Sequence, residues 1–136
     1  MSTPETSAIR GDPWQDLPPE CRLYPDSPGF HVVVRDALGD VARVVTRPDA
    51  GPREAILVDC IESAASIHAA RRLYPSHPVI GVLARDDARR NVEILAGGAD
   101  GVITLAETPD AWRQCLHVVL TGGRWPEGRV GARAPG

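Results

Sequence analysis

Four short segments constrain the fold of this chain more than any other feature. VARVVT (41–46), AILVDC (55–60), PVIGVLA (78–84) and GVITL (101–105) are β-branched, bounded by turn residues, and read as buried strands. Between the last three lie AASIHAARRLY (64–74) and DDARRNVEILAGG (86–98), and after them TPDAWRQCLHVVLTGG (108–123), each long enough for a helix. A strand that alternates with a helix cannot pair with its sequence neighbour as a hairpin. The alternation therefore predicts an α/β domain with a parallel sheet and right-handed crossovers.

Helix signals are clearest at the end, where Trp112, Cys115, Leu116, Val119 and Leu120 repeat at helical spacing and form one apolar stripe. Thr108 is placed to cap that helix, Pro109 suits its first position and Gly122 its C-terminal region. In the helix before it, Asp86 is the expected cap, Gly97 or Gly98 the stop, and Ala88, Val92 and Leu95 the inward face. The first third reads in two ways. HVVVRD (31–36) has strand-like branching and could pair with VARVVT through the ALGD turn. Phe30, Val33, Val34, Ala37 and Leu38 also follow helical spacing, with Pro28 as a start and Gly39 as a stop, and the helix is preferred, preceded by a short strand at 21–24.

Size and composition agree with one core. The 136 residues fit a single domain, 43% are hydrophobic and 24% charged, and no run approaches the roughly 20 apolar residues of a membrane span. Residues 1–19 are polar and aperiodic, so a flexible or loosely docked arm is expected there, with Trp14 and Leu17 as its anchors. The domain proper should span 20–126, and 127–136 should be a disordered tail or linker stub. The amino terminus lacks the basic start and apolar run of a secretory signal, which makes the cytoplasm the expected location.

A net charge of −3, with arginines dispersed among acidic residues, provides no field that would draw the chain to nucleic acid. Cys21, Cys60 and Cys115 are odd in number and lack metal-site spacing, so buried reduced thiols are expected. A redox role for Cys60 would need an arginine close enough to lower its pKa. His68 and His117 fall on helices with no second ligand one turn on, and Arg71 and Arg72 read as a solvated face. All 15 basic residues are arginine, so lysine-dependent chemistry is impossible, and the arginine, alanine, glycine and proline usage points to a GC-rich bacterial genome.

Several segments, in order, carry a resemblance. RLYPDSPGFHVVVRDAL is similar to the first strand, acidic turn and first helix of response-regulator receiver domains, particularly those of the NarL/LuxR type. AILVDC resembles their third strand, which would make Asp59 the phospho-acceptor equivalent, PVIGVLA their fourth, and GADGVITL the segment around the fifth. LHVVLTGGRW resembles the last helix and the start of a linker. The resemblance covers about 20–126 and implies a (βα)5 doubly wound five-stranded parallel sheet in the flavodoxin-like order 2-1-3-4-5. Carboxylates at neighbouring strand ends then converge in one crevice, where Asp26 and Asp59 are expected to meet.

Departures from the family pattern are as informative. An intact receiver has two acids after its first strand, Ser or Thr ending the fourth and Lys ending the fifth; here stand Pro25 and Asp26, Leu83, and Leu105. The family's switching aromatic is replaced by Val102. Asp26 and Asp59 should offer at most a weak Mg²⁺ site, because two acids supply few of the six or more oxygens that a hard cation takes, and no other cofactor is expected. The expected function is that of a pseudo-receiver, a signalling or regulatory module that binds another protein or a second copy of itself without aspartyl phosphorylation. By resemblance its contact face would carry Arg89, Arg90, Glu93, Thr104, Arg113 and Gln114.

One alternative is the phospho-accepting input domain of a NarL/LuxR-type transcription factor, for which no helix-turn-helix segment follows before Gly136. Another is a small ligand-binding flavodoxin-like domain. The chain has no Gly-rich phosphate loop and no Ser/His/Asp constellation, so catalysis is not expected.

Overall fold

The structure is a computed structural model that describes residues 18–126. The arm anchors Trp14 and Leu17, and the tail after Pro126, lie outside the described residues. In chain order the elements are β1 (Glu20–Tyr24), α1 (Pro28–Leu38), β2 (Arg43–Val44), β3 (Glu54–Asp59), α2 (Ser66–Leu73), β4 (Val79–Leu83), α3 (Ala88–Ala96), β5 (Gly101–Thr104) and α4 (Pro109–Leu120). All strand pairs are parallel and the order across the sheet is β2-β1-β3-β4-β5, as the resemblance implies.

Local signals explain most boundaries. Ser27 caps α1, Pro28 starts it, and Gly39 ends it at a φ of 58° that side chains rarely adopt. This settles the first third as a helix, and the hairpin reading falls: β2 is only two residues long and pairs in parallel with β1. Thr108 caps α4 through the Ala111 amide at 3.1 Å, with Pro109 next.

The sheet separates two apolar layers. On one face Cys21, Leu23, Ala55, Leu57, Ile80, Val82 and Ile103 meet Phe30, Val34 and Leu38 of α1 and Trp112, Cys115, Leu116 and Val119 of α4. On the other, Ile56, Val58, Val79, Leu83 and Val102 meet Ile67 and Ala70 of α2 and Ile94 of α3. Helix α3 departs in part from its expected face: Leu95 packs half-buried against the core as expected, but Ala88 is exposed, Val92 is 67% exposed, and Ile94 is buried instead. Gly81 on β4 explains the departure, since a Cβ there would lie 2.6 Å from Ile94 Cγ2. The missing side chain is the notch that Ile94 fills. The cap is Asp87, whose carboxylate accepts from the Arg90 amide, while Asp86 instead accepts from the Asn91 side chain.

One crossover departs from (βα)5. Among the described residues there are four helices, and the chain between Val44 and Glu54 forms none. Pro48, Gly51 and Pro52 make that stretch a poor helix former. A polar clamp holds it. Arg22, only 8% exposed, donates from Nε to Glu54 Oε1 at 2.8 Å and from its two terminal nitrogens to the carbonyls of Arg47 (2.6 Å) and Asp49 (2.9 Å). Glu54 is fully buried, and its second oxygen accepts from Arg47 at 2.5 Å and from the Gly51 amide at 2.8 Å. Arg47 also reaches Glu20 at 3.0 Å. Burial alone would push the Glu54 carboxyl up, but the hydrogen bonds from Arg22, Gly51 and Arg47 outweigh it and leave the group below its ordinary value.

Candidate functional site

Parallel strands deliver their C-terminal ends to one edge of the sheet. Strand β1 ends at Tyr24, ahead of Pro25 and Asp26; β3 ends in Asp59, β4 in Leu83 and β5 in Thr104. Asp59 is half-buried, and its Oδ1 accepts from the Ile61 amide at 3.1 Å, which fixes the carboxylate over the loop that follows. It opens on a cleft of about 520 Å³ between β3 and α1, lined by Ser27, Phe30, Val33, Asp59, Ile61 and Glu62 among others.

Asp59 and Glu62 both line this cleft, and Asp26 sits beyond the end of β1 on the exposed turn that leads to Ser27, the cap of α1. Among the described residues no group of three or more His, Cys, Asp or Glu side chains is placed to hold a metal ion. The acidic donors at the cleft are therefore a poor fit to a hard divalent cation.

Leu83 and Leu105 stand side by side at the far end of the crevice, joined by a hydrogen bond from the Leu105 amide to the Leu83 carbonyl at 2.8 Å. Leu83 is 1% exposed and Leu105 half-buried, each packed into one of the two apolar layers. Neither offers a hydroxyl or an ammonium. Val102, 6% exposed, is likewise core.

Arg90 on α3 has a role the sequence did not disclose. Its guanidinium donates to the Ile61 carbonyl at 2.8 Å and ties α3 to the loop after Asp59. Of the expected contact face, Thr104 is buried at 8% exposure and Arg90 is half-buried, with one terminal nitrogen on the Ile61 carbonyl. The other four are exposed. Arg89 and Glu93 pair one turn apart at 3.9 Å, while Arg113 and Gln114 both reach Asp110.

Arg71 is not a solvated side chain either. It donates to the carbonyls of Tyr74, His77 and Gly98 and to Asp100 Oδ2 at 2.7 Å, while Asp100 also accepts from the Val79 amide at 2.9 Å. Arg72, His68 and His117 are exposed, as expected.

All three cysteines are free and buried. Burial, then the neighbouring Asp59 charge, pushes the Cys60 thiol up to about 12, the opposite of the lowering that a reactive thiol needs. Burial pushes Cys21 up to about 12 as well, and raises Cys115.

No protein-family model and no curated protein sequence matches the chain. Solved structures do. A response regulator from Thermotoga maritima is 18% identical with a TM-score of 0.59, matched over 78% of this chain and 100% of its own. A LuxR family DNA-binding response regulator from Silicibacter pomeroyi is 18% identical with a TM-score of 0.58, over 77% and 93%. A LuxR family two-component response regulator from an Aurantimonas species is 13% identical with a TM-score of 0.63, over 87% and 96%. The class is therefore defined by fold: the chain has the receiver fold of response regulators. Its strand ends carry Asp59 on β3, with Leu83 ending β4 and Leu105 just after β5.

Proposed function

We propose that this chain is an atypical receiver, a cytoplasmic regulatory module that acts through protein-protein contacts without aspartyl phosphorylation and without catalysis of its own. The observation that carries the reading is the pair Leu83 and Leu105. In the receivers this chain resembles, these positions hold the hydroxyl and the ammonium that engage a phosphoryl group. Two aliphatic side chains, one buried in the core and one half-buried against it, offer no group to stabilise that charge. Arg89, Glu93, Arg113 and Gln114 stay exposed and are the side chains we assign to the partner face. No helix among the described residues is long and apolar enough to cross a membrane.

The test is incubation with acetyl phosphate and Mg²⁺, followed by intact-mass measurement. The expected spectrum shows the unmodified chain alone. An added phosphoryl mass that disappears in Asp59→Asn overturns the reading and restores a switching receiver.

A second reading, the input domain of a LuxR-type transcription factor, is favoured by one observation. The chain leaves α4 through Gly122, Gly123 and Trp125 in a segment similar to the start of such a linker. A reading frame that runs on from Gly136 into a helix-turn-helix would establish it.

A further inference from the structure

Helix α3 is attached to the rest of the chain at two points of different chemistry. Its rear half is held by Ile94, fully buried in the notch at Gly81, with Leu95 half-buried beside it. The front half has no buried apolar anchor: Ala88, Arg89, Val92 and Glu93 are exposed, and Arg90 and Asn91 are half-buried. Most of the side-chain bonds at this end stay local. Asp87 accepts from the Arg90 amide at 3.1 Å, Asp86 accepts from the Asn91 side chain at 3.0 Å, and Arg89 pairs with Glu93. None of these ties the helix to the sheet.

The Arg90 side chain does. Its guanidinium reaches the carbonyl of Ile61, 29 residues earlier in the chain, at 2.8 Å. Ile61 is itself held from the other side, since its amide donates to Asp59 Oδ1 at 3.1 Å and the Cys60 amide before it donates to the Val82 carbonyl at 3.0 Å. The loop after β3 is thus fixed to the sheet, and Arg90 fixes the front of α3 to that loop.

We propose that Arg90 is a positioning residue for the partner face: it braces the front of α3 against the loop after Asp59 and so holds Arg89 and Glu93 in one presentation without any signal at Asp59. With the brace cut, the front half is free to swing about the end that Ile94 pins in its notch, and the two exposed side chains move with it. The functional meaning of the brace rests on the assignment of Arg89 and Glu93 to a partner. Its existence does not, and amide exchange reads it with no partner and no phosphoryl group present.

The experiment follows amide hydrogen exchange by two-dimensional NMR on the full chain, on Arg90→Met, which keeps the aliphatic stem and removes the donors, and on Arg90→Lys, which returns a cationic donor. Two amides report the two ends of the brace: Ile61, bonded to Asp59, and Asn91, bonded to the Asp87 carbonyl at 2.8 Å. In Arg90→Met both are expected to exchange roughly 10- to 100-fold faster, the range that loss of a hydrogen bond from a charged donor implies, and the Arg89 to Glu93 resonances should shift together. Amides of β1, α1 and α4 should keep their rates, and Arg90→Lys should recover most of the protection. Arg90→Gln provides the same comparison should Arg90→Met fail to fold. Faster exchange throughout the sheet overturns the proposal, as does a folded donorless variant in which Ile61 or Asn91 keeps its original rate, or an Arg90→Lys chain that behaves like Arg90→Met.

Discussion

The two halves of the sheet are closed by different physics. On the β3-β4-β5 side, α2 and α3 cover the sheet with aliphatic side chains, and Ile94 sits in the notch at Gly81. On the β1-β2 side of the same face there is no helix, and the crossover 45–53 is held by Arg22, Arg47 and Glu54. An apolar lid is non-directional and tolerates adjustment. A polar clamp is all-or-none, because each buried charge depends on every partner being in place. The fold thus stands without one crossover helix, at the cost of a concentrated point of failure.

Breaking the clamp should have the largest effect. Glu54→Ala strands the Arg22 guanidinium beneath the surface and is expected to cost about 3–5 kcal/mol in urea unfolding. The double variant Arg22→Met, Glu54→Leu should recover most of that loss, because it removes both charges together. A double variant no more stable than Glu54→Ala would mean that the loop needs the hydrogen bonds to its carbonyls, not merely charge neutrality.

Acid should find the same weak point without mutation. The Glu54 carboxyl is held below its ordinary value of 4.5, so its contribution is fully present above that pH and is lost as pH falls through the lower, folded-state value. Amide exchange below pH 4.5 should therefore accelerate first in 45–53 and β2, while β4 and α3 stay protected. Uniform exchange across both halves would erase the distinction.

Breaking the apolar half calls for steric means. Gly81→Ala places a methyl group 2.6 Å from Ile94 Cγ2, and overpacking of this kind costs about 1–3 kcal/mol, with no added pH dependence. The smallest effect belongs to the surface. Arg113→Ala removes an exposed pair with Asp110, worth under about 1 kcal/mol by thermal melting, and any larger loss would show that α4 depends on it.

These contrasts also explain what the sequence made legible. Thr108-Pro109, Pro28 and Gly39 act within one turn of chain, so α4 and α1 could be read from them directly. Asp59 could be read from its place at the end of an apolar strand. The face of α3 could not, because its short helix offers two overlapping stripes and a glycine on another element chooses between them. The Arg22–Glu54 pair joins residues 32 apart in sequence, and neither looks different from a surface charge until β1 and β3 are set side by side.

The central proposal is an atypical receiver, in which the receiver fold is kept and Leu83 and Leu105 leave no phosphorylation lever. Two-dimensional amide NMR with and without beryllofluoride and Mg²⁺, which together mimic a phosphoryl group on aspartate, tests it most directly. The account predicts that the Thr104 and Leu105 amides and those of α3 and α4 keep their positions, whatever small shifts occur at Asp59 and Ile61. A concerted displacement of the β5 and α4 resonances that vanishes in Asp59→Asn would contradict it.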